Sequence, residues 1–339
     1  MADDRVLSEI VTKFFLDTCQ PLHQMNADSM LGLVACLKFA NERVPGSNEV
    51  NLIPLITGSV AELYIQPMFT CVGDIDIMYH RSDQLAIATG TSPPTQLPAE
   101  FHSSVRVCEI IDSEFPGYVY LVSSYLLTEC TDDGKYNAEQ CTRKYISVYA
   151  GRIRDVLLHG PAMVDHFSPR SNYDEKVSFI FVQGSVYSRD AVPCARCLSW
   201  PSQAADWPSR HREYGWPNSA TVEHIINNGC DVVNVAHRQC KQHEWMGVRQ
   251  WRLSFSRAEV VLLNSWMPVQ QIVYHMLRKF VKTEQLTDSA DSGVKAFTNY
   301  HIKTLMLWAC ELKPRSWWID DLNVVRICVE LLHLSLIHI

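Results

Sequence analysis

Tryptophan is missing from the first 199 residues of this 339-residue chain, and all nine lie between Trp200 and Trp318. Basic residues are scarce over much of the same stretch: residues 1–150 carry 9 Lys and Arg against 19 Asp and Glu, whereas 151–339 carry 21 against 18. With a net charge of -7 and a pI near 6.0, this excludes a uniformly basic nucleic-acid scaffold and leaves only a local basic face in the C-terminal part. No apolar run approaches the ~18 residues that a membrane-spanning helix needs. The opening Met1-Ala2-Asp3-Asp4 is acidic where a secretory leader is basic. The sequence therefore reads as cytoplasmic, with the nucleus as the alternative, and without a membrane partner. Gly, Pro and charged residues are too ordinary in number for a collagen-like, coiled-coil or disordered chain. Twelve cysteines at irregular spacing, with no leader, read as reduced and mostly buried thiols.

Apolar spacing predicts helices over 6–16 and 29–40. Strand texture follows, first in Leu52-Ile53-Pro54-Leu55-Ile56 and then in the alternation of Asp74-Ile75-Asp76-Ile77-Met78-Tyr79. Further β-type segments lie at 105–111, 118–122 and 177–182, with a loop at 89–98 and a turn at 131–134. Three Trp-Pro pairs, at Trp200, Trp207 and Trp216, read as packing where two parts of the chain meet. Helical periods then dominate: 219–228 with Gly229 as its C-cap, 257–265, 269–282, Tyr300 to Leu312 stopped by Pro314, and 320–335. The apolar run ending at Ile339 reads as a truncated or non-native end.

The chemistry concentrates on Gly58-Ser59 followed by Asp74-x-Asp76. On a strand, residues i and i+2 share a face about 6.5–7 Å apart, so both carboxylates meet one ligand. Hard oxygen donors in that arrangement suit Mg2+. A Gly-Ser turn upstream offers backbone N–H groups and a hydroxyl to phosphate. Asp190, ten residues before Trp200-Pro201, is a candidate third carboxylate. The plain alternative makes these aspartates solvent-facing strand residues.

Thr57-Gly58-Ser59, Asp74-x-Asp76, Asp190 before Trp200-Pro201, the string Trp251-Arg252-Leu253-Ser254-Phe255-Ser256 with Glu259, and Tyr300-His301-Ile302-Lys303-Thr304 occur in one order. In that order the sequence resembles the Mab-twenty-one-like nucleotidyltransferase family, which includes cyclic GMP-AMP synthase and the animal cGAS-like receptors. The resemblance runs from about residue 50 to 330 and implies an α+β, bilobal nucleotidyltransferase fold. In that fold a mixed, mostly antiparallel sheet forms the N-terminal lobe, and a helical C-terminal lobe follows. The implied division is 1–50 as N-terminal helices, 51–215 as catalytic lobe and 216–339 as helical lobe. The implied activity is synthesis of a cyclic dinucleotide messenger from two nucleoside triphosphates, ATP, GTP or others, on sensing a ligand in innate immunity.

The same resemblance assigns Asp74, Asp76 and Asp190 as catalytic ligands of Mg2+, with Mn2+ as the alternative. It gives Gly58 and Ser59 to the donor phosphates, and Arg252, Ser254 and Ser256 to the acceptor nucleotide. Tyr300 would stack on a base, and Arg278 or Lys279 would contact phosphate. A catalytically inactive member that binds nucleotides or proteins is the competing implication. On residues alone, Tyr300 on an amphipathic helix also fits a core aromatic, and Arg252 also fits an ion pair with Glu259.

Cysteine and histidine suggest zinc at Cys194-x-x-Cys197 and His237-x-x-Cys240-x-x-His243. Residues three apart on a strand point to opposite faces, which is wrong for chelation. The stretch Arg257 to Lys282, which matches the zinc insertion of the vertebrate synthase, contains no Cys and one His, so no structural zinc is expected. That favours double-stranded RNA over DNA as the activating ligand, through shape and phosphate contacts. Arg143, Lys144, Arg152 and Arg154 are its candidate contacts, with a solvated face as the alternative. The sequence carries no signal for an oligomeric state.

Overall fold

The computed structural model describes residues 6, 10, 13, 52–58, 61, 75–130, 132–146, 180–182, 185–187, 189–240, 250–283, 298–319 and 324–338. Val6, Ile10 and Lys13 are helical, and the rest of the helices expected over 6–16 and 29–40 lies outside the described residues.

Among the described residues ten strands and seven α-helices have defined bounds. The strands are β1 (Leu52–Thr57), β2 (Ile75–Ala88), β3 (Ser104–Asp112), β4 (Tyr118–Glu129), β5 (Tyr136–Ile146), β6 (Ile180–Val182), β7 (Ser185–Tyr187), β8 (Arg189–Cys197), β9 (Cys230–Val233) and β10 (Trp251–Ser254). The helices are α1 (Asp206–Ser209), α2 (Ser219–Asn228), α3 (Ser256–Asn264), α4 (Pro268–Thr283), α5 (Asn299–Leu312), α6 (Arg315–Ile319) and α7 (Val324–His338). Gly229 caps α2 with φ 63° and ψ -145°, where any side chain would collide with the backbone of Cys197 and Leu198.

The 14-residue β2 organises the sheet. Its first half pairs antiparallel with β1, from Thr57 opposite Asp76 to Leu52 opposite Arg81. Its second half pairs parallel with β3, from Gln84 opposite Arg106 to Ala88 opposite Ile110. Its other edge runs parallel to β8, with an irregularity between His80 and Leu85. From β3 the order continues through β4, β10 and β9 to β8, so the pairings return to β2, with β1 and β5 as side branches. The main sheet is thus mixed and mostly antiparallel, as expected.

Period-two burial divides the sheet into two faces. One carries Ala86, Cys108, Ile110, Val119, Leu121, Ala195, Cys197, Cys230, Val232, Trp251 and Leu253 as a single apolar cluster. The other carries Asp76, Met78 and His80 on β2 and Val192 and Cys194 on β8, and the register sets the Asp190 position opposite Asp76. Register continues that face to Val233 and then Arg252, since Cys194 pairs with Val233 and Val233 with Arg252.

The helices share one core. Trp318, Tyr274, Leu263, Ile272 and Leu277 are almost completely buried within it, and each contributes about 1.5–3 kcal/mol by leaving water. Trp200, Trp207 and Trp216 pack against this core, and Phe255 packs against both it and the sheet cluster. The Trp200 ring lies 5.3 Å from Trp207 and 5.3 Å from Phe255. The Trp-Pro segment therefore packs where sheet and helices meet.

Candidate active site

Gly58, the helical residue that directly follows β1, sets the first part of the site. Gly58 has φ 64°, and a Cβ there would occupy the space of the Asp76 carboxylate. Only glycine lets the backbone approach that carboxylate at a positive φ. Thr57 Oγ1 donates to the Asp76 carbonyl at 3.4 Å. Asp76 is half-buried and lies opposite Thr57 on one side and Asp190 on the other. Two aspartate positions 114 residues apart in sequence thus become neighbours on adjacent strands, about 4.8 Å apart. Asp74 and Ser59 lie outside the described residues.

Two residues beyond Asp76 on the same face, Met78 accepts a hydrogen bond at Sδ from Ser254 Oγ, 3.6 Å away. Ser254 Oγ in turn lies 3.1 Å from Ser256 Oγ, the first residue of α3. Arg252, two residues earlier on β10, is exposed. Glu259 pairs with Lys303 at 2.9 Å, so the alternative pairing of Arg252 with Glu259 is replaced by a tie between α3 and α5. The helix bearing Ser256 is also anchored below: Arg257 Nε donates to Asp231 Oδ2 at 2.7 Å, and Asp231 is fully buried. Arg196 uses its buried guanidinium on the carbonyls of Cys197, Cys230 and Asn228. His80 lies on this face, and burial lowers its pKa to about 4; Asp231 works against that shift, and Arg257 and Arg196 add to it.

Tyr300 is the second residue of α5 and is 65% exposed, which rules out the core-aromatic alternative. The helix starts at Thr298, whose hydroxyl accepts the His301 N–H while His301 Nδ1 accepts the Thr298 N–H. Tyr300 and Lys303, three apart, share a side of α5, so the pairing with Glu259 directs that side toward α3. On α4, Arg278 is 9% exposed and its guanidinium lies 5.3 Å from the centre of the Tyr274 ring, whereas Lys279 is exposed. Arg143 and Lys144 fall on β5, and Arg152 and Arg154 lie outside the described residues.

The thiols and imidazoles have other partners. Cys194 packs with Met78 and Val233, whereas Cys197 belongs to the cluster on the opposite face. His237 stacks on Phe115, and Cys240 donates to Gln250 Oε1 at 3.6 Å; His243 lies outside the described residues. Among the described residues no three His, Cys, Asp or Glu side chains form a metal-holding group. The Asp231–Arg257 anchor was not foreseen, since one aspartate inside Cys230-Asp231-Val232-Val233 gives no sign that its charge is buried and paired.

Comparison with known proteins adds the family. Residues 139–265 match the Mab-21 protein nucleotidyltransferase domain, and residues 269–334 match the Mab-21 protein HhH/H2TH-like domain. Together the two cover more than half of the chain. The chain belongs to the Mab-21 family. Its relatives include a protein mab-21-like of Aedes aegypti, 32% identical over 134 residues, 38% of this chain and 34% of that protein. A protein mab-21-like of Drosophila melanogaster is 27% identical over 135 residues, 38% and 34% of the two chains. Protein mab-21-like 3 of Danio rerio is 27% identical over 147 residues, 42% and 33%. The matched stretch thus spans about a third of each relative. Within this Mab-21 family chain, Asp190, Arg252, Ser254 and Ser256 fall in the nucleotidyltransferase match and Arg278, Lys279 and Tyr300 in the second. Gly58 and Asp76 precede both, so their place in the site rests on geometry. Among the described residues no helix is long and apolar enough to cross a membrane.

Proposed function

We propose that this Mab-21 family chain is a bilobal, metal-dependent nucleotidyltransferase that joins two nucleoside triphosphates into a cyclic dinucleotide: in each of two steps a ribose hydroxyl attacks an α-phosphate, the α–β anhydride bond breaks and pyrophosphate leaves. In this reading double-stranded RNA switches it on in an innate immune response. The observation that carries the reading is the alignment of Thr57, Asp76 and Asp190 on three adjacent strands, with the Gly58 backbone against the Asp76 carboxylate.

The donor chemistry fits a hard divalent cation, because carboxylate oxygens beside a backbone turn leave room for water and phosphate. Asp74, Asp76 and Asp190 would hold Mg2+, or Mn2+, which supplies charge neutralisation at the phosphates and acidifies a ribose hydroxyl. Gly58, the helical residue that directly follows β1, presents main chain to the triphosphate of the donor nucleotide without a side chain in the way. Asp190 accepts the proton of the attacking hydroxyl. Arg252, Ser254 and Ser256 orient the acceptor nucleotide, and Tyr300 covers a base from the helical side. Lys279, exposed on α4, is better placed for a phosphate than Arg278, which lies against Tyr274.

The test is incubation of the purified chain with labelled ATP and GTP, Mg2+ or Mn2+, and a panel of double-stranded RNA and DNA. A cyclic dinucleotide should form, and Asp76→Asn or Asp190→Asn should lower it by about 10²-fold or more. Undiminished product in both variants, or in the presence of EDTA, overturns the reading. Nucleotide binding without product under every condition would make the chain a non-catalytic member of its family.

A further inference from the structure

The face of the sheet turned away from Asp76 carries a pair of thiols that nucleotide transfer does not use. Cys197, the last residue of β8, is directly paired with Cys230, the first of β9, at the final rung of that antiparallel ladder. Both are free, completely buried and part of the apolar cluster with Trp251 and Leu253. Direct pairing brings Cα atoms to about 4.5–5.5 Å, inside the range of about 4.4–6.8 Å that a disulfide spans. The Cys230 thiol donates to the Cys197 sulfur. Among the described cysteines no third one competes. Cys108 shares the face, but β2 lies between β3 and β8 and sets it two strands, about 9–10 Å, from Cys197. Cys194 belongs to the opposite face.

The surroundings hold the two sulfurs together. Arg196 Nη1 donates to the carbonyls of both cysteines, at 2.9 Å to Cys197 and 2.8 Å to Cys230, so one guanidinium ties the two strand ends. Gly229, next to Cys230, leaves no room for a side chain against the Cys197 carbonyl. As a thiol, Cys197 donates to the Ser199 carbonyl at 3.3 Å; as a thiolate it can accept from Ser199 Oγ, 3.6 Å away. The hydrogen bond from Cys230 lowers the Cys197 pKa most, with burial opposing and Ser199 and Arg196 assisting, while that same bond and burial raise the pKa of Cys230. Cys197 is therefore the nucleophile of the pair and Cys230 the resolving thiol. Ser199 and Asn227, on either side of the rung, are exposed, and local opening is cheapest at such fraying ends. A small oxidant reaches the pair there.

We propose that Cys197 and Cys230 are a redox modification site, forming a reversible disulfide when the chain meets hydrogen peroxide. The Cys197 thiolate attacks one peroxide oxygen and the O–O bond breaks. The departing hydroxide takes up the proton that Cys197 gave up and leaves as water, and Cys197 becomes a sulfenic acid. The Cys230 sulfur then attacks the Cys197 sulfur, the S–O bond breaks, and hydroxide leaves with the Cys230 proton as a second water. Two thiols lose two electrons, and one peroxide is reduced to two waters. The new bond closes the segment between the cysteines, which carries Trp200, Trp207, Trp216 and all of α2, into a loop. Because that segment packs where sheet and helices meet, oxidation locks the junction and leaves Asp76 and Arg252 untouched.

Mass mapping of the full wild-type chain, treated with hydrogen peroxide while folded, then alkylated and digested, tests this. The Cys197–Cys230 linked peptide, lighter than its two halves by two hydrogens, should be the main form of both cysteines and should be lost on treatment with dithiothreitol. Cleavage of the oxidised chain by trypsin at the exposed Arg210 should leave two fragments that stay together on a non-reducing gel and separate after reduction. Cys230→Ala should stop the reaction at the sulfenic acid, so that Cys197 takes up dimedone, whereas Cys197→Ala should give neither the link nor an adduct on Cys230. Thermal melts show whether these variants fold, and the wild-type map decides the matter without them. Recovery of both cysteines as alkylated thiols after peroxide, or linkage of either one to a different cysteine, overturns the site. Product formation by the reduced chain does not depend on that result, so the nucleotidyltransferase reading stands or falls separately.

Discussion

Around the helices, twenty buried residues from Ile225 to Leu331 make one apolar core, whereas the sheet divides its buried side chains among smaller groups on its two faces. The helical core is large enough to set stability. On the sheet, the face bearing Asp76 gives part of its area to polar pairs, such as Asp231 with Arg257, and to the carbonyl contacts of Arg196. Those pairs add less than apolar packing, because desolvation offsets most of their attraction, but they hold Ser254, Ser256 and Arg252 in place. Function and stability should therefore be separable by region, and each of the following experiments is a way to break that separation.

The largest effect is expected at Gly58. Gly58→Ala forces a methyl into the Asp76 carboxylate at a positive φ, and we expect about a 10³-fold loss of product. The helical core is untouched, so the melting temperature should move little. A variant that keeps its turnover would remove Gly58 from the site. Next is Leu263→Ala, in the helical core and completely buried. It should cost about 3 kcal/mol in urea unfolding while leaving nucleotide affinity at its wild-type value below the transition. A changed affinity would show that the helices do more than support.

Local pattern made the fold's elements readable, and register made the site unreadable. Gly229 ends α2, and Pro314 follows α5, as their backbone chemistry requires. β2 runs on to Ala88, nine residues past the expected Tyr79, because it changes partner from β1 to β3 where the alternation breaks. β5 was missed: Asn137, Ala138, Glu139 and Gln140 are all exposed on an edge strand, so no apolar period marks it. β9, four residues long, is too short to show a period. The Asp74-x-Asp76 pattern was visible as a pair, but nothing in the sequence sets Asp190 against Asp76, since pairing across 114 residues is decided by the whole sheet. His237 and Cys240 carried metal-ligand spacing, yet the structure uses the imidazole as an aromatic ring.

The third experiment addresses pH. His275 lies in the helical core, neither ring nitrogen has a hydrogen-bond partner among the described residues, and burial, then Arg278, lowers its pKa to about 3. A depressed folded pKa means the unfolded chain takes up the proton first, so the histidine contributes its full stability above about pH 6.5 and loses it as pH falls toward 3. This group alone should make the chain about 2 kcal/mol less stable at pH 5 than at pH 8. His275→Met removes the titrating ring at similar volume, and urea melts at the two pH values should differ by that much less. An unchanged pH dependence would place the acid sensitivity elsewhere, with His80 on the sheet as the next group to test.

The smallest effect in stability sits where the regions join. Lys303 and Glu259 are 14% and 22% exposed and bridge α5 to α3 at 2.9 Å. Lys303→Met keeps the aliphatic stem and should cost only about 1 kcal/mol in a melt. Its consequence for function should be larger than that figure suggests. The pair directs the side of α5 that carries Tyr300 toward the helix that begins at Ser256, so its loss frees Tyr300, the residue proposed to stack on a base, without unfolding anything. We expect the KM for nucleotide to rise several-fold while kcat stays near wild type, the pattern of lost ground-state positioning. A fall in kcat at constant KM would instead mean that the α3–α5 tie acts on the aspartates, and that sheet and helices work as one unit rather than as site and support.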